Sequence, residues 1–115
     1  MAAGMIMVNL EEGMPTAEQA ERRLIGELGR ARASGATAVK LIHGYGSSGV
    51  GGKLRTSIRQ FLGTKKRRNT IKMFVPGEEW DIFNEAARLL LEACPNLAKD
   101  RDLGRGNPGI TIVLL

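Results

Sequence analysis

The 115-residue sequence holds one cysteine, Cys94, and one histidine, His43. A single thiol excludes an internal disulfide, and one thiol with one imidazole falls short of the ligand set of a typical zinc site, so no metal site is expected. Aromatic residues make up 4% of the chain, which predicts an aliphatic core. No run approaches the roughly 18 apolar residues of a membrane helix. The opening Met1-Ala-Ala-Gly4 lacks the basic flank and apolar stretch of a secretory leader. Between residues 28 and 77 there is no acidic residue; all twelve lie outside, five in 11–27 and seven in 78–102. The expectation is a stand-alone cytoplasmic domain spanning 1–115, long enough to bury one modest core.

What the sequence does contain is positive charge, and it is segregated. The net charge is +5, and eleven of the seventeen Lys and Arg fall in the acid-free stretch 28–77. Such a segregated basic middle suits a phosphate-backbone binder. The plainer alternative is a set of solvated charges facing several directions.

The hydrophobic periodicity alternates between strand and helix. Met5–Leu10 is a short apolar run that reads as a buried strand. Thr16 and Gln19 fit a capping box, and Ala17, Ala20, Leu24, Leu28 and Ala31 give the next helix one apolar face, ended by Gly35. A second strand is expected at Ala38–Ile42. A glycine-rich loop at 44–52 and a helix from about Lys53 follow, then a polar connection at Gly63–Asn69. A third strand is expected at Thr70–Val75. Trp80, Phe83, Ala87, Leu90, Leu91 and Cys94 predict a third helix, and Ile110–Leu115 a last strand. This alternation implies an α/β fold, with the first strands parallel through right-handed crossovers.

The segment Leu41-Ile-His-Gly-Tyr-Gly-Ser-Ser-Gly-Val-Gly-Gly-Lys-Leu-Arg55 carries the strongest local signal. Glycines after a strand let backbone N–H groups approach a ligand, and the following helix offers free amides and a positive dipole end. Lys53, Arg55 and Arg59 add full charges, and together these features suit a phosphate. Gly44-Tyr-Gly46-Ser-Ser-Gly49 matches a dinucleotide fingerprint by letter, but no acid follows before Glu78. A Walker A loop fails on Ser47 and Leu54.

In a parallel sheet the carboxyl ends of neighbouring strands share one rim. That rim is expected to hold Asn9, Glu11 and Glu12 after the first strand, and His43 to Ser48 after the second. His43 is a candidate general acid or base with Glu11 or Glu12 assisting; the alternative is a structural, hydrogen-bonded histidine. Tyr45 could stack on a base or pack over the loop. The Lys65-Lys66-Arg67-Arg68 run reads as a loop that either extends a phosphate footprint from the opposite rim or is simply solvated.

Leu41-Ile-His-Gly-Tyr-Gly46 followed by Leu54-Arg55 resembles the H-G-x-G segment of the Smr (small MutS-related) domain family. The ending Gly106-Asn-Pro-Gly-Ile-Thr-Ile-Val-Leu-Leu115 resembles that family's glycine turn (Gly106, Asn107, Gly109) and last strand. Val8-Asn-Leu10 with Glu18-Gln-Ala20 sits where the family carries L-D-x-H-G. The resemblance implies a two-layer sandwich like the C-terminal domain of a bacterial translation initiation factor, βαβαβ(α)β, with a four-stranded mixed sheet and an added helix. It also implies DNA or RNA binding, with endonuclease activity in several members. His43, Gly44 and Gly46 carry over; Asn9 replaces the first motif's aspartate, and its histidine is missing. The region 78–104 looks like a helical insertion that packs on the sheet or supports dimerisation.

The resulting expectation is a domain that binds structured or branched nucleic acid through phosphates. His43, Gly44, Tyr45, Gly46, Ser47, Ser48, Lys53, Arg55, Arg59 and Lys65 to Arg68 would form the interface, with no cofactor. One rival is an endonuclease using His43 with Glu11 or Glu12, with or without a divalent metal. The other is a protein-interaction or small-molecule phosphate module that retains only the fold.

Overall fold

A computed structural model describes residues 4–45 and 50–115. The elements run β1 (Met5–Asn9), α1 (Ala17–Ala33), β2 (Ala38–Ile42), α2 (Val50–Arg67), β3 (Met73–Pro76), α3 (Glu85–Ala93) and β4 (Ile110–Leu114). They build a four-stranded mixed sheet in the order β1-β2-β4-β3. β1 and β2 are parallel, with Val8 opposite Leu41, while β4 runs antiparallel to both of its neighbours.

Alternation along each strand sorts the core into two parts. Val8, Val39, Leu41 and Val113 face Ala20, Leu24, Leu28, Leu54, Ile58 and Leu62 of α1 and α2. Ala38, Ile110, Ile112 and Leu114 face Trp80, Ala87, Leu90, Cys94 and Leu97 on the other side. The added helix therefore lies on the sheet, and its apolar face is spent there. Helices cover both faces, which explains why β2 and β4 are almost wholly buried.

The capping box is present in full at the start of α1: Thr16 Oγ1 accepts from Gln19 N at 3.1 Å, and Thr16 N donates to the Gln19 side chain at 2.9 Å. α2 opens at Val50, so 50–52 are helical rather than part of the expected loop 44–52. Three further boundaries differ from the sequence expectation. First, α2 continues to Arg67, so Lys65, Lys66 and Arg67 form its last turn rather than a loop. Cations there complement the negative end of the helix dipole. Asn69 at φ 59 then stops the helix, with Asn69 N donating to Lys66 O and Thr70 N to Lys65 O. This double closure is the Schellman pattern with asparagine in the left-handed position. Second, β3 begins at Met73: Thr70 closes the helix and 71–72 bend into the strand, with Lys72 N already donating to Leu114 O.

Third, α3 begins at Glu85, not near Trp80, because the Asn84 side chain caps it by accepting from Ala87 N. Trp80 is still fully buried, but Phe83 is 84% exposed and lies off the apolar face. No described helix is long and apolar enough to cross a membrane.

Candidate nucleic-acid interface

Parallel pairing brings the carboxyl ends of β1 and β2 together, and Leu10 N extends the ladder by donating to Ile42 O at 2.8 Å. Beyond that point the chain turns at both strands. In the first turn the Asn9 side chain accepts from Glu11 N at 3.0 Å, and Met14 N donates to Glu11 O at 3.1 Å. The Glu11 carboxylate lies directly against the Cα of Gly44, which has φ 75. A side chain at position 44 would meet both that carboxylate and an unfavourable backbone angle. Glu12 turns the other way: it lines a groove of about 330 Å³ with Asn9, Arg23 and Glu27, and its carbonyl accepts from Arg23. The two candidate carboxylates are thus separated, and Glu11 is the one beside the H-G-Y-G segment.

His43 is fully buried on the α2 side of the sheet. Its Nδ1 lies 2.7 Å from Gly44 O and its Nε2 lies 2.8 Å from Thr111 Oγ1. A carbonyl can only accept, so Nδ1 carries the proton, and in the neutral ring Nε2 accepts from the threonine hydroxyl. Burial pushes the imidazole down from 6.5 to about 4; the Gly44 carbonyl opposes this, and the charges of Arg59 and Arg55 reinforce it. At neutral pH the ring is therefore uncharged, with both nitrogens engaged inside the fold.

Arg59 holds the other side of this threonine. Its Nε donates to Thr111 Oγ1 at 3.2 Å and its two terminal nitrogens grip Glu78 at 2.8 and 2.7 Å. The same guanidinium donates to the carbonyls of Pro108 and Ile110. Burial raises the Glu78 carboxyl, but the Arg59 hydrogen bonds and the charges of Arg59 and Arg55 outweigh it and hold the group below its ordinary value. Arg59 is thus committed to an ion pair with the partly exposed Glu78 and to the backbone of the turn before β4.

Arg55 differs. It is half-buried and lines an open groove of about 470 Å³ with Thr56, Arg59, Gln60 and Glu78. Among the described residues no carboxylate pairs with it. Tyr45 is 54% exposed, with its ring against Gly109. Lys53 is exposed on the opposite flank of α2, beside a second groove of about 360 Å³. Lys65, Lys66, Arg67 and Arg68 lie at the far end of that helix, about 18 Å from Lys53 at the usual helical rise. Lys65 stands 5.1 Å from the Phe61 ring centre, and Lys66, Arg67 and Arg68 are exposed. Gly46, Ser47 and Ser48 lie outside the described residues.

The glycine turn is tied down from below. Asn107 Oδ1 accepts from Gly109 N at 2.8 Å, and Gly109 O accepts from both His43 N and Gly44 N at 3.0 and 3.1 Å. Asn107 Nδ2 donates to Asp102, and Asp102 pairs with Lys40 at 2.5 Å. Lys40 also pairs with Asp100 at 2.8 Å, and Asp100 accepts from Trp80 Nε1 at 3.0 Å. Gly106, at φ 64, supplies the left-handed bend. Sequence reasoning missed this buried network. Its signal was the lone lysine in Ala38-Val-Lys-Leu-Ile42: a strand covered on both faces must bury that charge and therefore pair it. Among the described residues no group of three or more His, Cys, Asp or Glu is arranged to hold a metal ion.

The comparisons agree with this geometry. The structure is similar to the crystal structure of the Smr domain of Thermus thermophilus MutS2, with a TM-score of 0.55 and 26% identity, covering 97% of this chain and 96% of that one. No curated protein matches. A family model for the Smr domain matches residues 12–81, more than half of the chain. The chain therefore belongs to the Smr domain family, a family of nucleic-acid-binding and endonuclease-type domains.

Proposed function

We propose that this domain binds DNA or RNA phosphates along the rim formed by Tyr45, the first turns of α2 and the Arg55 groove. One observation carries the reading: Arg55 is a half-buried arginine in an open groove whose described carboxylate, Glu78, is ion-paired with Arg59 rather than with Arg55. A guanidinium in a groove whose carboxylate is already paired elsewhere keeps its charge, and a phosphate oxygen is the complement that suits it. Lys53 adds a second exposed charge on the same helix, and Tyr45 offers a ring face beside the turn. Arg59 belongs to the scaffold in this reading, and His43 shapes the loop from inside. Lys65 to Arg68 form a separate patch at the far end of α2.

The test is binding as a function of salt. Affinity for an oligonucleotide should fall steeply as salt rises, and Arg55→Ala should weaken binding and reduce the salt slope by about one unit. A flat salt response, or an unchanged slope in Arg55→Ala, refutes the proposal. Stabilisation by a mononucleotide without any oligonucleotide binding points instead to a small phosphate module.

A second reading, endonuclease, is favoured by the Glu11 carboxylate lying against Gly44. It predicts cleavage of supercoiled plasmid or branched DNA, with or without a divalent metal, that Glu11→Gln abolishes. Glu12→Gln should have little effect, because Glu12 faces away. Cleavage that survives Glu11→Gln removes this reading.

A further inference from the structure

The turn between β1 and α1 contains a feature used neither by the core nor by the Arg55 groove. Gly13 at φ 81 and Met14 at φ 50 both occupy the left-handed region. Glycine enters that region freely, but a methionine Cβ crowds the following carbonyl oxygen there. Burial does not compensate, since Met14 is 77% exposed. Backbone strain that holds an apolar side chain out in solvent is a reason to look for what it touches.

Met14 borders the groove of about 360 Å³ shared with Pro15, Thr16, Ala17, Lys53 and Leu54. Its walls are mainly apolar, and among the described residues Lys53 is its single charged one. Thr16 Oγ1 already accepts from Gln19 N and Thr16 N donates to the Gln19 side chain, which leaves the hydroxyl proton as the side-chain donor on the floor. The floor therefore offers little hydrogen-bond code and chiefly a surface for a ring, with a cation at its lip. A volume near the low end of the roughly 300–1,000 Å³ found for small-ligand sites suits one ring system better than a peptide segment.

We infer that this groove takes one unstacked nucleobase, with Met14 against its face and Lys53 on the adjoining phosphate, so that the domain prefers strands with unpaired bases to a continuous duplex. The inference rests on the nucleic-acid reading above but draws on different residues. Apolar side chains that insert at opened base steps and sequence-tolerant contacts to base faces are established ways to hold such strands.

The test compares Met14→Gly and Met14→Asn with the parent by fluorescence anisotropy. The probes are a labelled oligothymidine and a fully paired duplex of equal length. Both substitutions tolerate a left-handed backbone, so their melting temperatures should match or exceed the parent's. The parent should bind oligothymidine more tightly than duplex. Each variant should lose about fivefold or more on oligothymidine with little change on duplex. Variants that bind oligothymidine as the parent does, or lose both probes equally, overturn the inference, as does a parent that prefers duplex. If Arg55→Ala weakens both probes while the Met14 variants weaken neither, only this inference falls. If the parent binds neither probe, the nucleic-acid reading falls with it.

Discussion

Replacing Lys40 by methionine keeps most of the side-chain volume but removes the one cation that, among the described residues, is ion-paired with both Asp100 and Asp102. The lysine and Asp100 side chains are 2% and 3% exposed, and that of Asp102 is 15% exposed, so solvent cannot take over the lost partner. Breaking a buried pair from one side costs about 3–5 kcal/mol, because an uncompensated charge stays behind. A chain of this length is stabilised by about 6–17 kcal/mol in total. The loss is therefore a large fraction, equivalent to a fall in Tm of roughly 10–20 °C. Urea unfolding followed by fluorescence of Trp80, the only tryptophan, reads it directly, since the indole is buried and bonded to Asp100.

The pH dependence of that loss has a definite sign. In the parent, burial raises the Asp102 carboxyl, but the hydrogen bonds from Lys40 and Asn107 and the Lys40 and Arg101 charges outweigh it, leaving it below the ordinary 3.8. Its contribution is complete above about pH 4 and is lost only as the pH falls further. Without Lys40 the raising effect of burial is less opposed, so proton uptake begins at a higher pH and relieves the buried charge. The gap between variant and parent should then narrow as the pH falls from 7 towards about 4. Adding Asp102→Asn to Lys40→Met should recover part of the loss at neutral pH. A deficit below about 1 kcal/mol, or one that stays constant with pH, refutes the account of Lys40 as a structural counter-ion.

Gly77→Ala should destabilise by about 1–3 kcal/mol in thermal unfolding, because the new Cβ would collide with the Asn107 carbonyl and Ile110. His43 should stay neutral down to about pH 5, with Nδ1 protonated, in long-range proton–nitrogen spectra; a ring titrating near 6.5 contradicts its burial. Since its folded pKa lies below the unfolded one, its stabilisation is whole above 6.5 and is lost as the pH drops towards about 4, amounting to about 3 kcal/mol. Arg59→Met should cost about 1–2 kcal/mol, mainly by leaving the Pro108 and Ile110 carbonyls short of a donor, since the partly exposed Glu78 stays solvated, whereas Arg55→Ala should stay within about 0.5 kcal/mol in the same melts.

The layered fold was legible because local signals agreed with it. The Thr16–Gln19 box, the apolar spacing of α1 and the Ala38–Ile42 strand each specify one element without outside help. The α2 end was not legible, because Gly63-Thr-Lys-Lys-Arg-Arg looks like a loop in composition; helix dipole and the Asn69 closure decide otherwise. Phe83 was misplaced for a similar reason: a 3.6-residue period continued backwards from α3 ignores the Asn84 cap that starts the helix later. At the candidate site, the shared rim of Glu11 and His43 followed from parallel pairing. The Lys40–Asp100–Asp102 contacts did not, since they join residues about sixty apart and no periodicity reports such a distance.

Arg55 and Arg59 state the underlying problem most sharply. They lie one turn apart on α2 and are indistinguishable in a count of basic residues. Glu78, Thr111 and two carbonyls meet Arg59, so its charge is paired and most of its donors are engaged in holding the chain before β4. The Arg55 guanidinium reaches the same groove beside an already paired carboxylate, and there it keeps its charge. The groove can attract a phosphate because the acid that could quench Arg55 is bound to its neighbour. Arg59→Met should therefore do more than destabilise: it frees Glu78 to pair with Arg55. Oligonucleotide binding in that variant should weaken beyond the effect of losing one scaffold residue, and adding Glu78→Gln should restore part of it. Failure of that rescue would mean that Glu78 does not govern the charge Arg55 presents.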